Sequence, residues 1–163
     1  MDKDVIKKFK SIMGNQIGLQ EQLRKMNGKM LAAIKGHNVA SVKTVSEEID
    51  HVVEQMDTLE RDRIELLLPY IKDKIRLKRI SSFIEEFPKD EISGLKELVR
   101  QLKEISLQNF EQSRVNQILL NEAVYDIRKG VEIINMEINR PIKYSFDGEK
   151  QAALPVHLVN QKC

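Results

Sequence analysis

The sequence predicts an all-α protein: an elongated antiparallel three-helix bundle, coiled-coil-like, with a kink or short extra helix near residues 69–87 and a flexible C-terminal tail. Three observations predict it. Apolar residues recur every three, four or seven positions over three long stretches, the interval that keeps side chains on one helix face. Helix-stopping residues separate the stretches: Gly36-His37-Asn38, Pro69 and Phe87-Pro88. The 163 residues are 41% apolar and 32% charged but only 5% aromatic, with no Trp, which suits charged helix surfaces better than a compact core of large rings. By length this is one domain, with the bundle over 1–140 and the tail over 141–163.

The first helix is expected from Asp2 to Lys35, where Phe9, Ile12, Gln16, Leu19, Leu23, Met26, Met30 and Ala33 make a heptad-like seam. Gly14, Gly18 and Gly28 weaken it by roughly 1 kcal/mol each against Ala, so it must lean on its neighbours. Its Met residues are adaptable core filler. Gly36 is the expected C-terminal cap, with Lys35 favourably placed in the last turn. Ser41 or Thr44 can cap the next helix; Glu47, three residues after Thr44, completes a capping box, and Ser46 is the weaker option. Val45, Ile49, Val52, Met56, Leu59, Arg63 and Leu66 then share one face. The short connection makes these two helices an antiparallel hairpin.

The mixed charges from Glu60 to Glu65 read as a solvated face held by weak pairs. Pro69 should break the helix, because it lacks an N–H and clashes with the preceding turn. Ile71, Ile75, Ile80, Phe83, Ile84 and Phe87 keep helical spacing, so 70–86 is a further helix or a kinked continuation. After Phe87-Pro88, Asp90 can cap the last helix with Glu91 in its first turn.

That last helix organises the rest. Leu95, Val99, Leu102, Ser106, Asn109, Ser113, Asn116, Leu120, Ala123, Ile127, Ile134 and Ile138 fall on helical spacing, and a helix from Asp90 to Asn139 would be about 75 Å long. Its two halves differ. Up to Ser113 the apolar stripe is thin and softened by Ser106, Asn109, Gln112 and Ser113. From Asn116 on, Leu119, Leu120, Ala123, Val124, Ile127, Val131, Ile134 and Ile138 cover an arc of about 140°, with Ile118, Tyr125 and Met136 almost opposite. This is more apolar surface than one intramolecular seam requires. It can pack on a second copy or on the chain's own tail, or serve as a docking groove for another protein's helix.

Pro141 ends the pattern, and Gly148 and Pro155 punctuate a stretch with little periodicity. Asp147-Gly148 is a turn signal that places Tyr144 on an extended stretch before it.

Several function classes lose support. A balance of 27 basic and 25 acidic residues, net +2, gives no reason to expect nucleic acid or an anionic membrane as partner. The interleaved Asp73, Glu85 and Glu86 dilute the basic cluster Lys72, Lys74, Arg76, Lys78 and Arg79. No apolar run reaches the length of a signal-peptide core, so a cytoplasmic protein without membrane insertion is expected. Cys163 stands alone, His37, His51 and His157 lie far apart, and there is neither a glycine-rich phosphate loop nor a G-x-S-x-G motif. The sequence therefore predicts no enzyme, no metal and no cofactor.

One pattern is more specific. Asn116-x-x-Leu119-Leu120 near the middle of the last helix, followed past its end by Pro141-x-x-Tyr144-x-x-Asp147-Gly148, resembles the C-terminal signature of the FlgN family of cytoplasmic flagellar export chaperones. The helices extend the resemblance loosely over the whole chain. Two features depart from the family pattern: Ser145-Phe146 stand where a glycine commonly follows the tyrosine, and the segment from Pro69 to Pro88 is longer than usual. The resemblance implies a chaperone that binds the C-terminal segments of hook-associated junction proteins of the FlgK and FlgL classes and delivers them to the export gate. Leu119, Leu120, Val124, Ile127, Val131 and Ile134 are the candidate client-binding face. Tyr144, with Asp147 and Gly148, matches the tail position that contacts the gate protein FlhA. The alternatives are a structural coiled-coil protein that homo-oligomerises through the same face, or an export chaperone for a filament or cap client. A weak homodimer is compatible with each.

Overall fold

The structure, a computed structural model, describes residues 2–71 and 84–138. Its secondary structure is helical: α1 (Lys3–Lys35), α2 (Val39–Leu67), a 3₁₀ turn (Ile84–Glu86) and α3 (Lys89–Ile138). No strand occurs among the described residues. Residues 72–83, most of the expected extra helix, and 139–163, which include the tail, lie outside them.

The caps show why the helices stop where they do. Asp2 accepts the Asp4 amide at the start of α1. At its end the His37 amide donates to the Ile34 carbonyl and the Asn38 amide to the Ala33 carbonyl, each at 3.0 Å, which is a Schellman closure. The left-handed residue in that closure is His37, at φ 51°, and not the glycine before it. Asn38 caps α2: its side-chain oxygen accepts the Ser41 amide at 3.0 Å. The cap expected at Ser41 or Thr44 therefore lies further back. Thr44 is already inside the helix and donates its hydroxyl to the Ala40 carbonyl. α2 ends at Leu67, two residues before Pro69, and the Tyr70 and Ile71 amides close the turn on the Leu67 carbonyl. α3 begins at Lys89, so Asp90 and Glu91 lie in its first turn, where their charges favour the helix N-terminus.

Packing divides the chain into two compact units, Met1–Ala123 and Val124–Cys163. The first unit has two apolar clusters. One joins Ile6, Phe9 and Met13 of α1 to Leu67, Ile71, Ile84, Phe87 and Leu95, with the Phe9 and Phe87 rings 5.2 Å apart at a tilt. The other joins Met26, Met30 and Ile34 of α1 to Val45 and Val52 of α2. Between the clusters the contact between α1 and α3 is polar. Asn109 donates its side-chain amide to the Gln20 carbonyl at 2.7 Å and to the Gln20 side chain at 2.6 Å; Asn116 donates to the Asn27 carbonyl at 3.0 Å.

Arg63 departs from the solvated face expected of its charge run. Its side chain is 1% exposed, and Nε donates to Glu60 at 3.2 Å. The aliphatic stem belongs to the apolar face of α2, and a carboxylate one turn earlier receives the guanidinium.

Candidate partner-docking face on the last helix

The helix α3 carries two apolar seams in succession. The first repeats at Leu95, Leu102, Asn109, Asn116 and Ala123, every seventh residue, so one stripe stays turned to the partner helices. Leu95 is fully buried, and Ile105, Asn109 and Asn116 are nearly so. Leu119 and Leu120 are partly buried against the cluster of Met26, Met30, Ile34, Val45 and Val52, and Ala123 is the last member to be partly covered.

The second seam belongs to the second unit. Val124, Ile127, Val131, Ile134 and Ile138 follow one another at intervals of three, four, three and four residues. They are 45–74% exposed, where Leu95, Ile105, Asn109 and Asn116 on the same helix are buried, so this is an apolar stripe with no cover among the described residues. On the opposite side of the same segment Tyr125 and Met136 are also exposed, and the Lys129 ammonium lies 5.8 Å from the centre of the Tyr125 ring. Lys129 also pairs with Glu132 at 3.4 Å.

Of the client-binding candidates, the structure thus places Leu119 and Leu120 against the core of the first unit, and Val124, Ile127, Val131 and Ile134 on the bare stripe of the second. The gate-binding candidates Tyr144, Asp147 and Gly148 lie outside the described residues. On the first unit the exposed ridge read at Ile118 extends back through residues the sequence reading did not single out: Leu107, Phe110 and Val115 are, like Ile118, about half exposed or more on the outer side of α3. Leu107 and Phe110 lie off the seam spacing, which was the available signal.

Comparison with known protein families, curated proteins and solved structures gives no match to this chain. The reading of the site therefore rests on its own chemistry. Glu48-x-x-His51 on α2 has the spacing of half a di-iron motif, but Glu48 pairs with Lys29 at 3.7 Å and His51 with Glu54 at 3.9 Å. Among the described residues no three His, Cys, Asp or Glu side chains gather as a metal site, and no helix is long and apolar enough to cross a membrane. What the stripe offers is an apolar strip of helix at heptad spacing, the complement of another amphipathic helix.

Proposed function

We propose that this protein is a helix-docking export chaperone of the FlgN kind, working in the cytoplasm on hook-associated junction proteins of the FlgK and FlgL classes. The observation that carries the reading is the bare stripe Val124, Ile127, Val131, Ile134 and Ile138. A client segment disordered before export gains affinity by laying an amphipathic helix on that stripe, against the cost of its own ordering. An antiparallel three-helix bundle is the arrangement this reading takes. Ile6 and Leu67 share one cluster and Ile34 and Val45 the other, which fits α1 and α2 running in opposite directions. The delivery step falls to the tail: Tyr144, with Asp147 and Gly148, would touch the gate protein FlhA.

Titration calorimetry with C-terminal segments of the two junction proteins from the same genome tests the reading. Stoichiometric binding with a negative heat-capacity change is expected; binding by neither segment sinks it. Tyr144→Ala should keep client affinity and weaken binding of the client-loaded protein to the gate's cytoplasmic domain. Equal gate affinity for both forms would remove the tyrosine from that role.

The 3-4-3-4 spacing with valine and isoleucine also suits a second copy of the stripe. Light scattering separates that reading: a tight oligomer that conceals α3 favours a structural coiled coil, and a monomer or weak dimer favours the chaperone.

A further inference from the structure

We infer that the amide layer between α1 and α3 is a register lock, which selects which residues of α3 are covered by the bundle and which are left bare. The inference is independent of what docks on α3.

Both helices carry the same repeat. On α1, Met13, Gln16, Gln20, Leu23, Asn27, Met30 and Ile34 alternate at three and four residues; on α3, Leu102, Ile105, Asn109, Gln112, Asn116, Leu119 and Ala123 do the same. Apolar heptads of this kind tolerate a slide of seven residues, because each large side chain meets an equivalent one a step away. The amides remove that equivalence. Gln20 and Asn27 are seven residues apart, Asn109 and Asn116 are seven apart, and the structure joins Asn109 to the Gln20 side chain and Asn116 to the Asn27 main-chain carbonyl. Ser113 adds a hydroxyl bond to the Asn27 side chain at 3.2 Å.

By the heptad repeat, a slide of seven residues in one sense sets Asn116 against Gln20 but puts Asn109 against Met13 and Asn27 against Ala123. A slide in the other sense sets Asn109 against Asn27 but puts Asn116 against Ile34 and Gln20 against Leu102. Each alternative sets one α1 amide, Asn27 or Gln20, against an apolar side chain and leaves the displaced α3 asparagine only a main-chain carbonyl, and a buried polar group without a partner is disfavoured. All four residues are at least nine-tenths buried, so solvent offers little relief. The layer is not optimised for stability, since Asn27 Nδ2, Asn109 Oδ1 and Asn116 Oδ1 have no hydrogen-bond partner among the described residues. Discrimination between registers is what it supplies, as single buried Asn residues do in coiled coils.

Spin labels at Arg24 and Gln108, exposed residues that line the same groove, report the register as a distance in a Cys163→Ser chain. Wild type should give one narrow distance. Gln20→Leu/Asn27→Leu/Asn109→Leu/Asn116→Leu should melt higher and show a second, longer distance, from a slide of about 10 Å. Leu102→Asn/Asn116→Leu moves the α3 amides back by one heptad, so the main population should shift to the slid register. Retention of the native distance in this transposed variant overturns the lock, whatever the leucine variant does. Loss of helical circular dichroism in both variants also overturns it, because the amides would then be needed for folding and not for register.

Discussion

His37 occupies the left-handed region at the end of α1, the position a glycine fills in most such closures. A side chain there is strained by roughly 1 kcal/mol or more. His37→Gly should therefore raise stability by about 0.5–1 kcal/mol, read as a higher midpoint in urea with an unchanged slope. On α3, Arg100 grips the Glu97 carboxylate with two hydrogen bonds of 2.8 Å and reaches Glu104 at 2.9 Å, while Gln101 also donates to Glu97. The Arg100 hydrogen bond, then that of Gln101, holds the Glu97 pKa down to about 2. A depressed carboxyl stabilises the fold above its unfolded pKa, near 4.5, and that contribution fades as pH falls toward 2. Carbon-detected titration should find the Glu97 carboxyl well below the ordinary glutamate range, and Arg100→Ala should return it toward the ordinary value. Both groups are solvent-exposed, so salt shrinks the difference.

At the scale of elements, Gly14 and Gly18 stand on the open side of α1, beside a groove whose other wall is His51, Gln55 and Thr58. A Cβ at either position would meet nothing within 4 Å among the described residues. Ala at each should stabilise the protein by about 1 kcal/mol, additively, in chemical denaturation; a loss at either site would mean that the groove closes on the helix. The spans of α1, α2 and α3 were readable because each repeats an apolar pattern for eight turns or more, long enough to outweigh three glycines in α1. Cap positions were less readable. Asn38, Ser41 and Thr44 can all cap, and the choice was settled by a loop short enough for Asn38 to end one helix and start the next. The burial of Arg63 was half legible: its spacing puts it on one face with Leu59 and Leu66, but the mixed charges of Glu60, Arg61, Asp62 and Glu65 around it read as a solvated face. The polar centre of the α1–α3 seam was half visible: Asn109 and Ser113 appeared as a thinning of the stripe, but their pairing with Gln20 and Asn27 needs three dimensions.

For the whole molecule, the contrast is between the first unit, which buries its apolar residues in two clusters, and the second, whose described helix leaves them bare. This contrast makes Val124→Asp a clean probe. The residue is 45% exposed, so an aspartate there is solvated and the melting temperature should stay within a degree or two of wild type. On the proposed docking reading, affinity for the junction-protein segments should fall at least tenfold in calorimetry, because a charge would be carried into an apolar contact. A melted protein would instead place Val124 in a core, and unchanged affinity would move docking elsewhere. The exposed stripe was readable in the sequence as surplus arc on the last helix. Where cover ends along it was not, because Leu119 and Leu120 look like Ile127 and Ile134 until the second cluster is seen to stop at Leu120.

The polar seam also bears on the order of synthesis. The α1–α2 contact closes across three residues, Gly36 to Asn38, whereas the amides of α3 reach theirs over 89 residues. Short-range closure is fast, so the first two helices pair while the third is still being made. During that interval the groove awaiting α3 displays Gln16, Gln20 and Asn27 along its middle instead of a continuous oily strip. A nascent chain with such a wettable groove can wait for its own third helix without adhering to the groove of a neighbour.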